Sequence, residues 1–196
     1  MNKTISGEDT ENTEKVEKKK GNASNNFVKE CMVSALMQLL ETKPMSEITV
    51  TDITDKAGVS RMSYYRNYAS KDEILADHLD DIFNTYIELL KKWNYTGSCF
   101  EYDYLLQCFQ YFTKHQKFLS CLLKSGMGDL MLNHLTKFIV ETFCPDQNDI
   151  VDYYKMRAFA GSIYSAYVTW AERKNKESPC EMARIVCAIY AGTGIS

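Results

Sequence analysis

A chain of 196 residues with 45 % hydrophobic content has enough apolar material for a real core, in one compact domain with an appendage or in two small ones. A formal charge of −3 and a pI near 5.7 exclude a wholly basic nucleic-acid-binding protein, so any contact with nucleic acid must come from a local patch. Seven cysteines, an odd set without C-x-x-C, sit mostly in apolar helical runs such as Leu106-Gln107-Cys108-Phe109 and fit the reduced thiols of a cytoplasmic protein.

Met1 to Asn22 is polar and lacks the apolar core of a signal peptide, and no later run approaches the ~20 apolar residues of a membrane span. Residues 1–26 hold only Ile5 and Val16 as large aliphatics and are expected to be a disordered tail, with Lys18-Lys19-Lys20 as a solvated charge run. Order is expected from Phe27, where Phe27, Cys31, Ala35, Met37, Leu39 and Leu40 recur at helical spacing. Pro44 closes that helix. The three prolines, 44, 145 and 179, fall between helical patterns, and the one strand-like alternation, Ile48 to Thr51, is too short to seed a sheet. The expected class is all-α.

The stretch Ile48 to Leu75 carries the most information. A helix is expected after Thr49, an N-cap type, with Val50, Ile53 and Ala57 as its apolar stripe. Gly58 ends it, and Ser60 caps a second short helix, giving a helix-turn-helix. In that second helix Tyr64 and Tyr68 pack inward, while Arg61, Met62 and Tyr65 fall on the outward side. Between Val59 and Lys71 stand Arg61, Arg66 and Lys71 with no acidic residue, so the basic patch hidden in the overall charge lies here. Ser70 and Glu73 have the spacing of a capping box that opens the next helix.

Thr49-Val50, Asp52-Ile53, Ala57-Gly58-Val59-Ser60, Ser63, Tyr65, Tyr68, Ser70-Lys71, Glu73 and Leu75 together resemble the N-terminal pattern of the TetR family of transcriptional regulators over about thirty positions. Departures are mild: Ser63 for threonine, Thr54 for alanine and Tyr68 for phenylalanine. The resemblance implies an N-terminal three-helix DNA-binding domain over 27–72 and a C-terminal helical bundle over 73–196, about nine helices in all, with helix 73–93 as a connecting lever. It further implies that Thr49, Thr51, Tyr65, Arg66, Asn67 and Lys71 hold the DNA backbone, that Arg61 and Met62 face base edges, and that Ser60 and Ser63 complete the DNA-binding set. The implied partner is double-stranded operator DNA, bound by a homodimer that acts as a repressor released by an effector.

Further helices are expected over Ser70 to Trp93, Phe100 to His115, Phe118 to Lys124, Gly128 to Phe143, Val151 to Lys174 and Pro179 to Ala191. In the fifth of these Tyr153, Met156, Ala160, Ile163, Tyr167 and Trp170 form a bundle stripe, and Ala158, Ser162 and Ala166 recur every four on another side. Phe159-Ala160-Gly161, Trp170, Ser178-Pro179 and Glu181-Met182 resemble the last two helices of one TetR subgroup, which implies a four-helix dimer bundle. Arg173-Lys174-Asn175 stands there where a glycine is common. The expected dimer interface is Ala158, Ser162, Ala166, Trp170, Met182, Ile185 and Ile189.

The aromatic and methionine content of Phe100 to Phe143 suits a pocket for a hydrophobic or aromatic small molecule, expected from Phe109, Phe112, Met131, His134, Phe138, Tyr164 and Tyr167, with plain core packing as the competing reading. No G-x-S-x-G, phosphate-cradling glycine loop or H-E-x-x-H is present, and His78, His115 and His134 are too scattered for a sequence-local metal site. No enzyme, cofactor or metal is expected. The alternative is an all-α ligand-binding or interaction protein without specific DNA binding.

Overall fold

The computed structural model describes residues 7–191, with side chains from Ser24 onward. Among the described residues there are nine α-helices and no strand: α1 (Gly7–Leu40), α2 (Val50–Ala57), α3 (Arg61–Asn67), α4 (Lys71–Trp93), α5 (Tyr102–Lys114), α6 (Gln116–Lys124), α7 (Gly128–Phe143), α8 (Ile150–Glu172) and α9 (Pro179–Ala191). A 3-10 turn, Met45–Glu47, joins α1 to α2. The chain divides into two compact units at the junction of Ile74 and Leu75. The helix α4 runs unbroken through that junction.

The first helix departs from expectation. It starts at Gly7, twenty residues ahead of Phe27, so residues 7–26 are helical backbone rather than an unstructured tail, while residues 1–6 lie outside the described residues. The sequence places Glu11 four before Lys15 and Glu14 four before Lys18, the order of charges that favours helix, so local preference continues the helix where no apolar stripe announces it. The side chains of Lys18-Lys19-Lys20 also lie outside those described.

In the first unit α1 packs on α2, and α2 on α3. The helix α1 buries Met32, Val33, Ala35 and Leu36 at helical spacing; Ile48, Ile53, Tyr64, Tyr68 and Ile74 complete the core. Thr54, which replaces the alanine of the family pattern, is the buried polar side chain of the described residues. Its hydroxyl donates to the Thr51 carbonyl at 3.2 Å, which removes the cost of burying it.

In the second unit α5 pairs with α9 and α7 with α8, and α6 touches α5, α7 and α8. The core is aromatic. The ring of Tyr86, on α4, lies 4.9 Å from Tyr111, 5.3 Å from Phe112 and 5.6 Å from Phe138 between centroids. Such pairs each add about 0.5–1.5 kcal/mol beyond simple area burial. Burial pushes the thiols of Cys99 and Cys108 up to about 12, so these cysteines are protonated packing groups.

The helix α8 buries Met156, Phe159, Ala160, Ile163, Tyr167 and Trp170, which includes most of the expected stripe. Asp149 caps it by accepting from the amides of Val151 and Asp152 at 3.1 Å each. It ends where Lys174 and Asn175 adopt φ of 60° and 53°. That left-handed backbone explains why a glycine is common there: each non-glycine residue carries a conformational cost of about 1–2 kcal/mol. Two interactions hold the loop in place, the Arg173–Glu177 ion pair and the Trp170 indole N–H donating to the Glu177 carbonyl at 2.9 Å.

Candidate nucleic-acid interface

The helix-turn-helix is built by local chemistry at three joints. At the first, the Thr49 hydroxyl accepts from the Asp52 amide at 3.1 Å, and the Asp52 carboxylate accepts from the Thr49 amide at 2.7 Å and from the Lys43 ammonium at 2.8 Å. The Lys43 ammonium, followed by the Thr49 amide and hydroxyl, holds the Asp52 carboxyl well below the usual carboxylate range.

A group whose folded value is depressed stabilises above its unfolded pKa of about 3.9, and that stability is lost as pH falls through the folded value. Asp52→Asn is therefore expected to melt at a lower temperature than the parent at neutral pH, with the gap narrowing as pH drops below about 4. Thermal melts across acid pH check this. A gap that stays constant would show that the charge of Asp52 contributes nothing.

At the second joint Gly58 has φ 67° and ψ 30°, its amide donates to the Asp55 carbonyl, and the Val59 amide donates to the Thr54 carbonyl. This is a Schellman stop, and it needs glycine for its backbone angle alone, since a Cβ there would meet nothing within 4 Å. At the third, the Ser60 hydroxyl accepts from the Ser63 amide at 3.0 Å and lies 2.9 Å from the Ser63 hydroxyl, starting α3.

The short helix α3 then has two distinct sides. Tyr64 and Tyr68 are buried against the core, with ring centroids 6.2 Å apart. On the other side Met62 is 72 % and Tyr65 63 % exposed, and Arg61 and Arg66 are exposed with them. The sequence pattern assigned these sides correctly. Tyr65 is held upright by an edge contact with Tyr64 at 5.2 Å, and Arg61 donates to the Thr51 hydroxyl at 2.6 Å, bracing α3 on α2. The surface therefore presents two guanidinium groups, a phenol and a thioether from one turn and a half of helix.

Other expected DNA-binding residues have internal partners. Thr49 and Ser60 are caps, and the Asn67 amide donates to the Ser63 carbonyl of its own helix at 2.8 Å. Lys71 differs most from expectation. Its ammonium is half-buried and donates to the carbonyls of Met45 at 2.7 Å and Ile48 at 2.5 Å, so two of its three N–H groups tie down the loop after the 3-10 turn. The box at the start of α4 is shifted too: the Ser70 hydroxyl accepts from Glu73 as expected, but the Glu73 carboxylate accepts from the Ala69 amide rather than that of Ser70.

The expected pocket residues fall into separate clusters. Phe112, His134 and Phe138 gather around Phe83, whereas Phe109 and Tyr167 flank Trp170. His134 has both ring nitrogens engaged, one with the Leu130 carbonyl at 2.8 Å and one with Asp80 at 3.1 Å. Met131 is buried, and Tyr164 lines a separate groove of about 480 Å³ beside α6 and α7, where a side chain at Gly128 would collide with its hydroxyl.

The expected dimer residues divide in a similar way. Ala158 and Ser162 are exposed, Ala166 is half-buried, and Ile185 and Ile189 are 47 % and 58 % exposed. Trp170 and Met182 are buried inside the unit and cannot offer a free surface. Ser162, Ala166, Ile185 and Ile189 nevertheless line one groove of about 400 Å³ between α8 and α9, with Trp170 and Met182 at its base.

The fold and the outward side of α3 define a helix-turn-helix DNA-binding protein. The family comparison agrees: residues 33–77 match the model of bacterial regulatory proteins of the tetR family, and residues 101–192 match that of a TetR-type transcriptional regulator C-terminal region. The chain belongs to the TetR family of transcriptional regulators. No curated protein matches it. Among solved structures it is similar to the fatty acid degradation regulator FadR from Bacillus halodurans, at 13 % identity and a TM-score of 0.54, over 84 % of this chain and 93 % of that one. At that identity the likeness concerns the fold. No helix among the described residues is long and apolar enough to cross a membrane.

Proposed function

We propose that the chain is a cytoplasmic homodimeric repressor that holds a near-palindromic operator and lets it go when a small molecule binds the second unit. The observation that supports this best is the outward side of α3, where Arg61, Met62, Tyr65 and Arg66 are exposed together over a buried tyrosine underside. Arginine is the side chain best suited to guanine O6 and N7, and arginine and tyrosine both hold phosphate oxygens. In this reading Arg61 and Met62 read bases, Tyr65 and Arg66 hold the backbone, and the caps Thr49 and Ser60, with Thr51, Ser63 and Asn67 of the two helices, support them. Lys71 acts mainly by fixing the loop from which Thr49 starts α2.

The dimer is proposed on the α8–α9 groove. Ile185 and Ile189 are large apolar groups left in water beside small residues that admit a close helix, and a Cβ on Gly161 would meet nothing within 4 Å in the single chain. A two-fold dimer would set two α3 helices into successive major grooves, about 34–36 Å apart. An effector would release DNA through a difference in affinity between two arrangements of α4.

Replacing Ile185 and Ile189 together by glutamate tests the dimer. Light scattering at micromolar concentration is expected to give twice the chain mass for the parent and one chain mass for the variant, with operator affinity falling by orders of magnitude. A parent that scatters as a monomer would remove the two-fold reading.

A further inference from the structure

Beyond the surface that meets DNA, the second unit carries a cleft of about 550 Å³ between α4 and α5 that contains none of the expected pocket residues. Its floor is apolar and aromatic, made by Tyr86, Leu90 and Tyr111, all buried. One wall is Leu89 and Trp93, which are 44 % and 40 % exposed. The opposite rim is polar, formed by Gln107, Gln110 and Lys114 of α5. Among the described residues Lys114 is the one charged group lining the cleft, and no carboxylate lines it.

Trp93 is fixed in place. Its ring stacks on Tyr95 at 4.5 Å and 18°, Tyr95 stacks on Tyr104 at 5.7 Å, and the Tyr95 hydroxyl donates to the Ser98 carbonyl at 2.7 Å. One face of the indole is thus covered by a braced aromatic column and the remainder stays open. A wall organised before binding saves the entropy of ordering it when a ligand arrives.

We infer that this cleft is a binding site for an aryl-substituted carboxylate, with the aromatic body against Trp93 and Tyr111, the carboxylate at Lys114, and the Gln107 and Gln110 amides at its polar edge. The charge balance selects an anion, since the exposed Lys114 is the one charged group at the rim and a cation would find only like charge. The site touches the end of α4, so occupancy bears on the helix whose first turn carries Lys71. That link alone rests on the regulator reading; binding does not.

The chain has two tryptophans, and Trp170 is only 2 % exposed, so a ligand in the cleft reports through Trp93. Titrating the full chain, without DNA, with 4-phenylbutyrate under selective tryptophan excitation is expected to give a saturable emission change. The uncharged 4-phenylbutanamide on the parent, and the carboxylate on Lys114→Met, are each expected to bind about fivefold more weakly, the scale of a partly exposed ion pair. Lys91→Met, which alters a different groove, should leave the affinity unchanged. Trp93→Phe should silence the emission change while titration calorimetry still records binding. Absence of saturable binding, equal affinity for the amide, or an unchanged Lys114→Met would each overturn the assignment. DNA binding of the same preparation is scored separately, so a failed cleft leaves the operator reading intact, and a failed operator leaves the cleft.

Discussion

Replacing Tyr65 and Arg66 together by alanine is expected to weaken binding to every duplex, specific or not, and to flatten its dependence on salt. Both side chains are exposed on α3 with no acidic residue between Val59 and Lys71, so the partner proposed for them in a complex is the phosphate backbone. A hydrogen bond to a charged group is worth about 1.5–3 kcal/mol, so removing each one weakens binding roughly tenfold or more. Taking one cationic side chain away from the phosphates also lowers the slope of log affinity against log salt by about 0.9. Fluorescence anisotropy at several salt concentrations gives both numbers. Tyr65→Phe serves as a control, because it keeps the edge-on packing against Tyr64 and removes only the hydroxyl. Arg61→Ala is expected to behave differently, relaxing discrimination at one base position by about 1–3 kcal/mol. An unchanged slope in the double variant would remove the phosphate role.

Trp170→Ala is expected to cost the most stability of any single change in the second unit. The indole is 2 % exposed, meets Phe109 edge-on at 5.6 Å and Tyr167 at 6.0 Å, and donates to the Glu177 carbonyl across the α8–α9 loop. Truncating a buried aromatic to alanine costs about 3–5 kcal/mol, and the Glu177 carbonyl is deprived of its donor as well. Against a total of about 5–15 kcal/mol, this is a large fraction. Denaturant unfolding at fixed protein concentration measures it, the concentration being held because a dimer's midpoint depends on it. Trp170→Phe should recover part of the packing and none of the hydrogen bond. A Trp170→Ala midpoint equal to the parent's would contradict the inward placement and restore Trp170 to the expected intermolecular surface.

The N-terminal motif was legible because its signals are local. Thr49, Gly58 and Ser60 each act within a few residues, through two caps and one left-handed stop, and the spacing of Tyr64 and Tyr68 against Tyr65 separates the buried from the open side of α3. What was not legible depends on partners far along the chain. Nothing near Lys71 says that its ammonium turns to carbonyls 23 and 26 residues earlier. The helix α1 reaches back to Gly7 because apolar periodicity ends at Phe27 while helix preference does not.

In α8, helical spacing showed which residues share a stripe, but only packing decides whether a neighbour in the same chain or another protomer covers it. Hence Trp170 and Met182 were expected at an intermolecular surface and lie in the core, while Ile185 and Ile189 stay outside. The expected pocket residues divide into separate clusters for the same reason. A set of aromatic residues fixes neither which of them touch nor where space is left, and the cleft beside Trp93 depends on the stack of Trp93, Tyr95 and Tyr104, which spans α4, the following loop and α5.

The most direct test is selection of bound sequences by the full chain from a pool of random duplexes. A two-fold regulator is expected to enrich one inverted repeat whose half-sites are about one helical turn apart, matching two α3 helices related by a two-fold axis. Recovery of an unrelated collection of sequences with no common half-site would contradict it.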